Sequence, residues 1–340
     1  MSTPAPQTHP DFSPIRFEDG VLHLLDQRRL PADEVWLELD TVDQVTRAIT
    51  DLVVRGAPAI GIAAAFGAVI SARRHGSDIS AWRQDLERLD RSRPTAVNLA
   101  WATARMRRCA ETLGRLDADA LEAEARVIHA EDVAANKAMA AAGSALFEPG
   151  SGILTHCNTG ALATGGIGTA LGVIMAGYRA GRVERIFADE TRPWLQGSRL
   201  TAWELARQGI PFQVVVEGAA AALMASGRVQ WVVTGADRIA ANGDVANKIG
   251  TCSLAIIARH YGARFMVVAP ASTVDPHMAS GEGIVIEQRD PAEIWRAAGL
   301  ELQPDGFDAW NPVFDVTPAA LVNCIVTEHG VHQPPYRFAG

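Results

Sequence analysis

The chain has 340 residues, of which 48% are hydrophobic and 21% charged, and a formal net charge of −8 at pH 7. This is globular composition, which excludes a disordered or fibrous chain, and the acidic balance gives no overall pull on nucleic acid or an anionic membrane. Cys109, Cys157, Cys252 and Cys324 show no CxxC spacing, so neither a disulfide framework nor a zinc site is expected, and a reducing cytoplasm fits.

Residues 1–14, MSTPAPQTHPDFSP, predict a loose arm without the basic and apolar regions of a signal peptide. The runs VLHLL and VWLEL between Val21 and Leu39 predict two short strands. Thr41 is the expected N-cap of a helix reaching Val54. RGAPAIGIAAAFGAVI then reads as a Gly/Pro turn entering a small-residue helix. Its apolar stretch, Ala59 to Ile70, is well short of the roughly 20 residues a membrane span needs. Three helical stripes fill 77–147, and 115–147 is long and Ala- and Glu-rich enough to connect two domains. EPGSG at 148–152 is the break after it.

From residue 151 the rhythm changes. GILTHCN, VERIFADE, PFQVVVE, VQWVVTGAD and RFMVVAP read as strands. GTALGVIMAGYRAG, RLTAWELARQG, AAALMASG and CSLAIIARHYG alternate with them as helices. Repeated βαβ alternation implies a parallel sheet covered on both faces, with ligands held at the carboxyl ends of its strands.

Several residues fall at such positions. Cys157 lies just past a predicted strand, where a tuned thiol can act as acid or base. A lone cysteine is more often a small core residue. His156 beside it faces the opposite way on a strand, which argues against a Cys–His pair. Asp237 closes WVVTGAD, where partial burial would raise its pKa for general acid work; a cap or a partner for Arg238 is an equal reading. Asn247 and Lys248 follow the turn NGDVANKIG at an expected helix start, a sensible phosphate or sugar-hydroxyl site, although most lysines are simply solvated. Arg55 opens RGAPAIG, with Gly56 and Gly61 allowing close backbone approach and Pro58 stiffening the turn. Arg93 is a second phosphate candidate and Gln196 a sugar-hydroxyl candidate, though each alone reads as a surface residue. Gly166, Gly168 and Gly172 miss the GxGxxG fingerprint, and close helix packing is the favoured reading there. The histidines show no metal-ligand spacing.

Eight segments together carry a more specific signal. They are LLDQRRLP (24–31), VRGAPAIGIAAAFG (54–67), SRPTAVNLAWA (92–102), ILTHCNTGALAT (153–164), ADETRPWLQGSRLTAWEL (188–205), TGADRIAANGDVANKIGT (234–251), VVAPASTVD (267–275) and NPVFDVTPAALV (311–322). In this order, over nearly the whole chain, the sequence resembles the methylthioribose-1-phosphate isomerase family, related to the translation initiation factor 2B alpha, beta and delta subunits. The departures are Ser198 where alanine is usual and Gln288 in place of an acid.

The resemblance implies an α/β fold: a flexible arm over 1–14, a small, mainly helical N-terminal domain with a few short strands over 15–130, and a Rossmann-like parallel-sheet catalytic domain over 131–340. It implies a homodimer acting in the cytoplasm on a small phosphorylated sugar, with no metal or organic cofactor. The expected reaction is conversion of 5-methylthioribose 1-phosphate to 5-methylthioribulose 1-phosphate in methionine salvage. The family's proton donor falls on Asp237 and its catalytic cysteine on Cys157. Its substrate-binding positions fall on Arg55, Gly56, Ala57, Arg93, Gln196, Asn247 and Lys248. Alternatives are isomerisation of 5-deoxyribose 1-phosphate or ribose 1,5-bisphosphate, a non-catalytic assembly protein of the same fold, and an NAD-dependent oxidoreductase. Transfer of hydrogen by hydride shift or through an enol stays open at this level.

Overall fold

The computed structural model describes residues 12–93, 97–297, 300–301 and 308–338. Most of the expected arm, residues 1–11, lies outside them, as does the 94–96 part of SRPTAVN.

The chain opens with an antiparallel sheet of β1 (Ile15–Glu18), β2 (Val21–Leu25) and β3 (Trp36–Leu39). Ile15 and Phe17 are buried while Arg16 and Glu18 face out, the period-2 pattern of a half-covered strand. At four residues this alternation was too short to predict, so β1 adds to the two expected strands. Thr41 caps α1 (Val42–Thr50) in a full capping box: its hydroxyl accepts from Gln44 N at 3.3 Å, and Gln44 Oε1 accepts from Thr41 N at 3.0 Å.

Helix α2 (Ala57–His75) is buried along nearly its whole length. Its alanines and glycines let α3 (Ile79–Ser92), α4 (Val97–Leu113) and α5 (Ala118–Ser144) approach closely. A Cβ on Gly61 would stand 2.8 Å from the Asn98 carbonyl oxygen on α4. Helix α5 is roughly 40 Å long at 1.5 Å rise per residue. Its Leu121, Ala125 and Ile128 belong to the helical core, and its Met139 to the core of the main sheet. One helix thus serves both hydrophobic clusters.

The main sheet has seven strands. In chain order they are β4 (Ser151–Thr155), β5 (Val183–Asp189), β6 (Gln213–Val215), β7 (Trp231–Thr234), β10 (Arg264–Val268), β15 (Cys324–Thr327) and β16 (Gly330–His332), the intervening strands belonging elsewhere. Across the sheet the order is β16-β15-β10-β7-β4-β5-β6, parallel throughout except for β16. Side chains alternate between its faces. Ile153, Ile186, Trp231, Val233, Met266 and Val326 pack on α6 (Ala170–Arg179). Leu154, Phe187, Val232, Phe265 and Ile325 pack on α8 (Ala220–Ala225) and α9 (Thr251–Tyr261). Helix α7 (Ala202–Arg207) follows a π-helical turn over Gly197–Thr201. This is the doubly covered α/β architecture the alternation predicts.

A four-stranded sheet was not anticipated. It has the order β11-β8-β9-β14, from β8 (Arg238–Ala240), β9 (Val245–Lys248), β11 (Val274–Asp275) and β14 (Phe314–Thr317). Its presence corrects one placement. Asn247 and Lys248 stand on β9, not in the first turn of a helix, and α9 starts only at Thr251 after Gly250 at φ +101°. Ala241, Asn242, Gly243 and Asp244 form the turn between β8 and β9. A short helix, α10 (Ala292–Trp295), and the hairpin of β12 (Arg296–Ala297) and β13 (Leu300–Glu301) complete the described elements.

Candidate active site

A cleft of about 690 Å³ opens beyond the carboxyl ends of β4 and β7, against the N-terminus of α2. Arg55, Gly56, Ala57, Arg93, Cys157, Gln196, Asp237, Asn247 and Lys248 all border it. Sequence reasoning missed Asn158, Thr159, Trp194, Arg289 and Phe314, which border it too. Asn158 and Thr159 sit beside Cys157 in HCNTG and were within reach; Arg289 carried no local signal. Four cations, Arg55, Arg93, Lys248 and Arg289, surround one lining carboxylate, Asp237. In a chain of net charge −8 this is a local reversal of sign, suited to an anion.

Cys157 is held by its backbone. It adopts φ +63°, a left-handed conformation unusual for a residue with a Cβ. Its N–H donates to Thr191 Oγ1 at 2.8 Å, and its carbonyl accepts from the Thr201 hydroxyl at 2.7 Å. The Thr191 hydroxyl donates in turn to Asp189 Oδ1 at 2.5 Å. The other Asp189 oxygen faces His156 Nδ1 at 2.8 Å, and His156 Nε2 faces the Ile249 carbonyl at 2.9 Å. Both imidazole nitrogens therefore meet acceptors, which fits a doubly protonated ring. Burial, the largest single influence, would lower the His156 pKa, but the Asp189 charge and hydrogen bond, the Glu217 charge and the Ile249 carbonyl together outweigh it and the net shift is upward. As expected, His156 faces away from the cleft; it braces the loop that carries Cys157.

Arg55 is buried, and its Nη1 donates to the Asn158 carbonyl at 2.9 Å while Nη2 donates to Asn158 Oδ1. Its Nε is buried with no protein acceptor. Gly56 follows at φ +91°, and a Cβ there would lie 2.6 Å from three atoms of Ala163. Only glycine brings the start of α2 this near the 161–163 turn, which leaves the positive end of the helix dipole at the cleft.

Lys248 Nζ donates to the Val313 carbonyl at 2.8 Å and stands 4.3 Å from the centre of the Phe314 ring. Burial pushes its pKa down. The Asn247 amide donates to Thr251 Oγ1 at 3.0 Å. Gln196 is buried with its Oε1 unpartnered. Arg93 pairs with Glu287 at 3.5 Å. Asp237 is pushed up by burial, against the pull of Lys248, Arg93 and Arg55. Burial likewise pushes the Cys157 thiol up, with Arg55 and Lys248 opposing.

A second chamber of about 920 Å³ adjoins the cleft, sharing Gly56, Ala57, Arg93, Asp237 and Phe314 with it. Its further walls include Ile60, Met278, Ile284, Val285 and Ile286. Among the described residues, no group of three or more His, Cys, Asp or Glu side chains is placed to hold a metal ion. The glycines that nearly matched a dinucleotide fingerprint pack chain on chain: a Cβ on Gly168 would sit 2.4 Å from Gly160 Cα. Among the described residues no helix is long and apolar enough to cross a membrane.

The Initiation factor 2 subunit family matches residues 53–334. Methylthioribose-1-phosphate isomerase of Thioalkalivibrio sulfidiphilus is 58% identical, covering 94% of this chain and 93% of that protein. The enzyme of the same name from Xanthomonas euvesicatoria is 56% identical, over 95% and 92%. The crystal structure of 5-methylthioribose 1-phosphate isomerase from Pyrococcus horikoshii superposes with a TM-score of 0.89 at 39% identity, over 97% of this chain and 94% of that one. A structure of translation initiation factor eIF-2B, subunit delta, from A. fulgidus has a TM-score of 0.83 at 37% identity, over 96% and 97%. The chain belongs to the methylthioribose-1-phosphate isomerase family, within the Initiation factor 2 subunit family.

Proposed function

We propose that this chain is an aldose–ketose isomerase converting 5-methylthioribose 1-phosphate to 5-methylthioribulose 1-phosphate in methionine salvage. The observation that carries this reading is the cleft itself: four cations around a single half-buried carboxylate, opening onto a chamber with several apolar walls. Arg55, Arg93 and Lys248, with the backbone at Gly56 and Ala57, are assigned to the phosphate. Gln196 and Asn247 are assigned to the sugar hydroxyls. The chamber walls Ile60, Met278 and Ile286 suit a methylthio group, while Arg93 and Arg238 line the same chamber, so the preference over ribose 1,5-bisphosphate is decided by the substrate panel below. The 58% identity to an isomerase, with Cys157 and Asp237 both kept at the cleft, favours an enzyme over an assembly protein.

The chemistry follows from the substrate. Its anomeric carbon carries phosphate, so the ring opens only if its oxygen is protonated as the C1–O bond breaks. Asp237, pushed towards its neutral form, is assigned that proton. Hydrogen then moves with its electron pair from C2 to C1 while the C2 hydroxyl becomes the carbonyl, its proton returning to the Asp237 carboxylate left by ring opening. Burial keeps the Cys157 thiol neutral and a poor base, so we favour a hydride shift with Cys157 stabilising charge at C1. Fixing the phosphate in place contributes by orientation.

The same reading assigns residues 15–130 to a small helical domain and 131–340 to the catalytic domain, in a cytoplasmic homodimer. The test is a substrate panel. The purified protein is given 5-methylthioribose 1-phosphate, 5-deoxyribose 1-phosphate and ribose 1,5-bisphosphate, and ketose formation is followed by NMR. The highest kcat/KM is expected for the methylthio sugar. Preference for either other sugar would overturn the substrate assignment, and no ketose from any of them would favour the assembly protein.

A further inference from the structure

We propose that Glu204 is a positioning residue for the Arg55 guanidinium, acting through the side-chain amide of Asn158. The proposal rests on the isomerase reading above. Glu204 lies on α7, is 4% exposed and does not border the cleft. Its Oε1 accepts from Asn158 Nδ2 at 2.7 Å and from Leu162 N at 3.4 Å. Its Oε2 accepts from Ala161 N at 2.7 Å. Every partner is a donor, so the ionised carboxylate is the form this pocket satisfies, although burial pushes the group's pKa up.

This fixes the Asn158 amide. Its NH2 group is committed to Glu204 and, at 3.2 Å, to Thr201 Oγ1, so its Oδ1 must face Arg55. The Asn158 carbonyl takes Arg55 Nη1 as well. Two nitrogens of the guanidinium are thereby tied to one residue, and Nε is left without a protein acceptor at the cleft wall. Arg55 comes from the start of the helical region, Asn158 from the loop after β4, and Glu204 from α7. The relay therefore holds a phosphate-binding cation in place across long chain separations. An arginine fork is useful for a phosphate only when its plane is set in advance.

Glu204→Gln tests this with the side-chain shape kept. The amide offers one acceptor where three donors converge, so either Ala161 N–H or the Asn158 NH2 meets another donor. Turning Asn158 to escape would point its NH2 at Arg55. The expected result is a KM for 5-methylthioribose 1-phosphate raised about tenfold with kcat changed less than about threefold, the signature of lost ground-state binding. Adding Asn158→Asp returns an acceptor to face the amide at position 204 and keeps one on Arg55, at the cost of the Thr201 contact, so KM should return to within about threefold of native. In an Arg55→Ala background, Glu204→Gln should shift KM less than about twofold.

An undiminished effect in the Arg55→Ala background, or no rescue by Asn158→Asp, would overturn the proposal. If Glu204→Gln does not fold, Asn158→Ser must raise KM in the native background and leave it unchanged beside Arg55→Ala, or the proposal fails. If the native protein forms no ketose, the isomerase reading falls. The same variants are then read by their Kd for inorganic phosphate, where an unchanged Kd overturns the relay and a rise of about tenfold supports it.

Discussion

Replacing Asp189 with asparagine should destabilise the protein in a pH-dependent way. Asp189 and His156 are both fully buried and 2.8 Å apart. The carboxylate also accepts the Thr191 hydroxyl. Asparagine keeps the shape but loses the charge, and its one oxygen serves only one of these two donors. Removing one partner of a buried pair costs about 3–5 kcal/mol, because the other charge is left without compensation. The sign with pH follows from His156, whose folded pKa lies above its unfolded value. Its stabilising contribution is complete below the unfolded pKa and is lost as pH rises through the folded one. The assay is urea unfolding of native and variant protein at about pH 6 and about pH 9.5. The gap between them should be large at the lower pH and shrink at the higher. Turnover should fall as well, because Thr191 holds the Cys157 N–H. A gap below about 1 kcal/mol at pH 6, or one independent of pH, would refute a charged pair.

Asp132 gives a trend of the same sign in a more acidic window. Burial raises its pKa from 3.8 to about 6, although it accepts from Gly165 N at 2.7 Å and Asn136 Nδ2 at 2.9 Å. Between these values the folded state binds more protons than the unfolded, so stability falls as pH rises through that window. Asp132→Asn should therefore be as stable as the native protein or more so at neutral pH, by at most about 3 kcal/mol, and the advantage should vanish near pH 4 in thermal melts. Gly56→Ala forces a side chain onto a φ of +91° and into Ala163. It should cost about 2–4 kcal/mol in urea unfolding and raise KM, since the start of α2 must move from the cleft. Asp237→Asn and Cys157→Ser should each lose at least about 100-fold in kcat, with substrate Kd changed only a few-fold by calorimetry. Near-native turnover in either would remove its assigned role.

Much of the main sheet was legible because its central strands are buried on both faces. SGILT of β4 is buried at every position and reads as one short apolar run between turn residues. The VANK strand, β9, was not legible. It is equally buried, but half of it is Asn and Lys, and its buried polar side chains face a cleft that no local pattern reveals. The cleft shows the same division. Cys157 and Asp237 were visible because each follows an apolar run in a parallel-sheet rhythm. Arg289 and Glu204 were not, since what makes them matter is their convergence with Arg55 from distant parts of the chain. Hydrophobic periodicity locates a core; it does not say which polar residues meet beside it.

The central claim is tested most directly by incubating the native protein with 5-methylthioribose 1-phosphate in deuterated water and reading the product by NMR. The expected product is the ketose, with no solvent deuterium at C1. Full deuteration at C1 would contradict the hydride shift and make Cys157 the base. No ketose would contradict the isomerase itself.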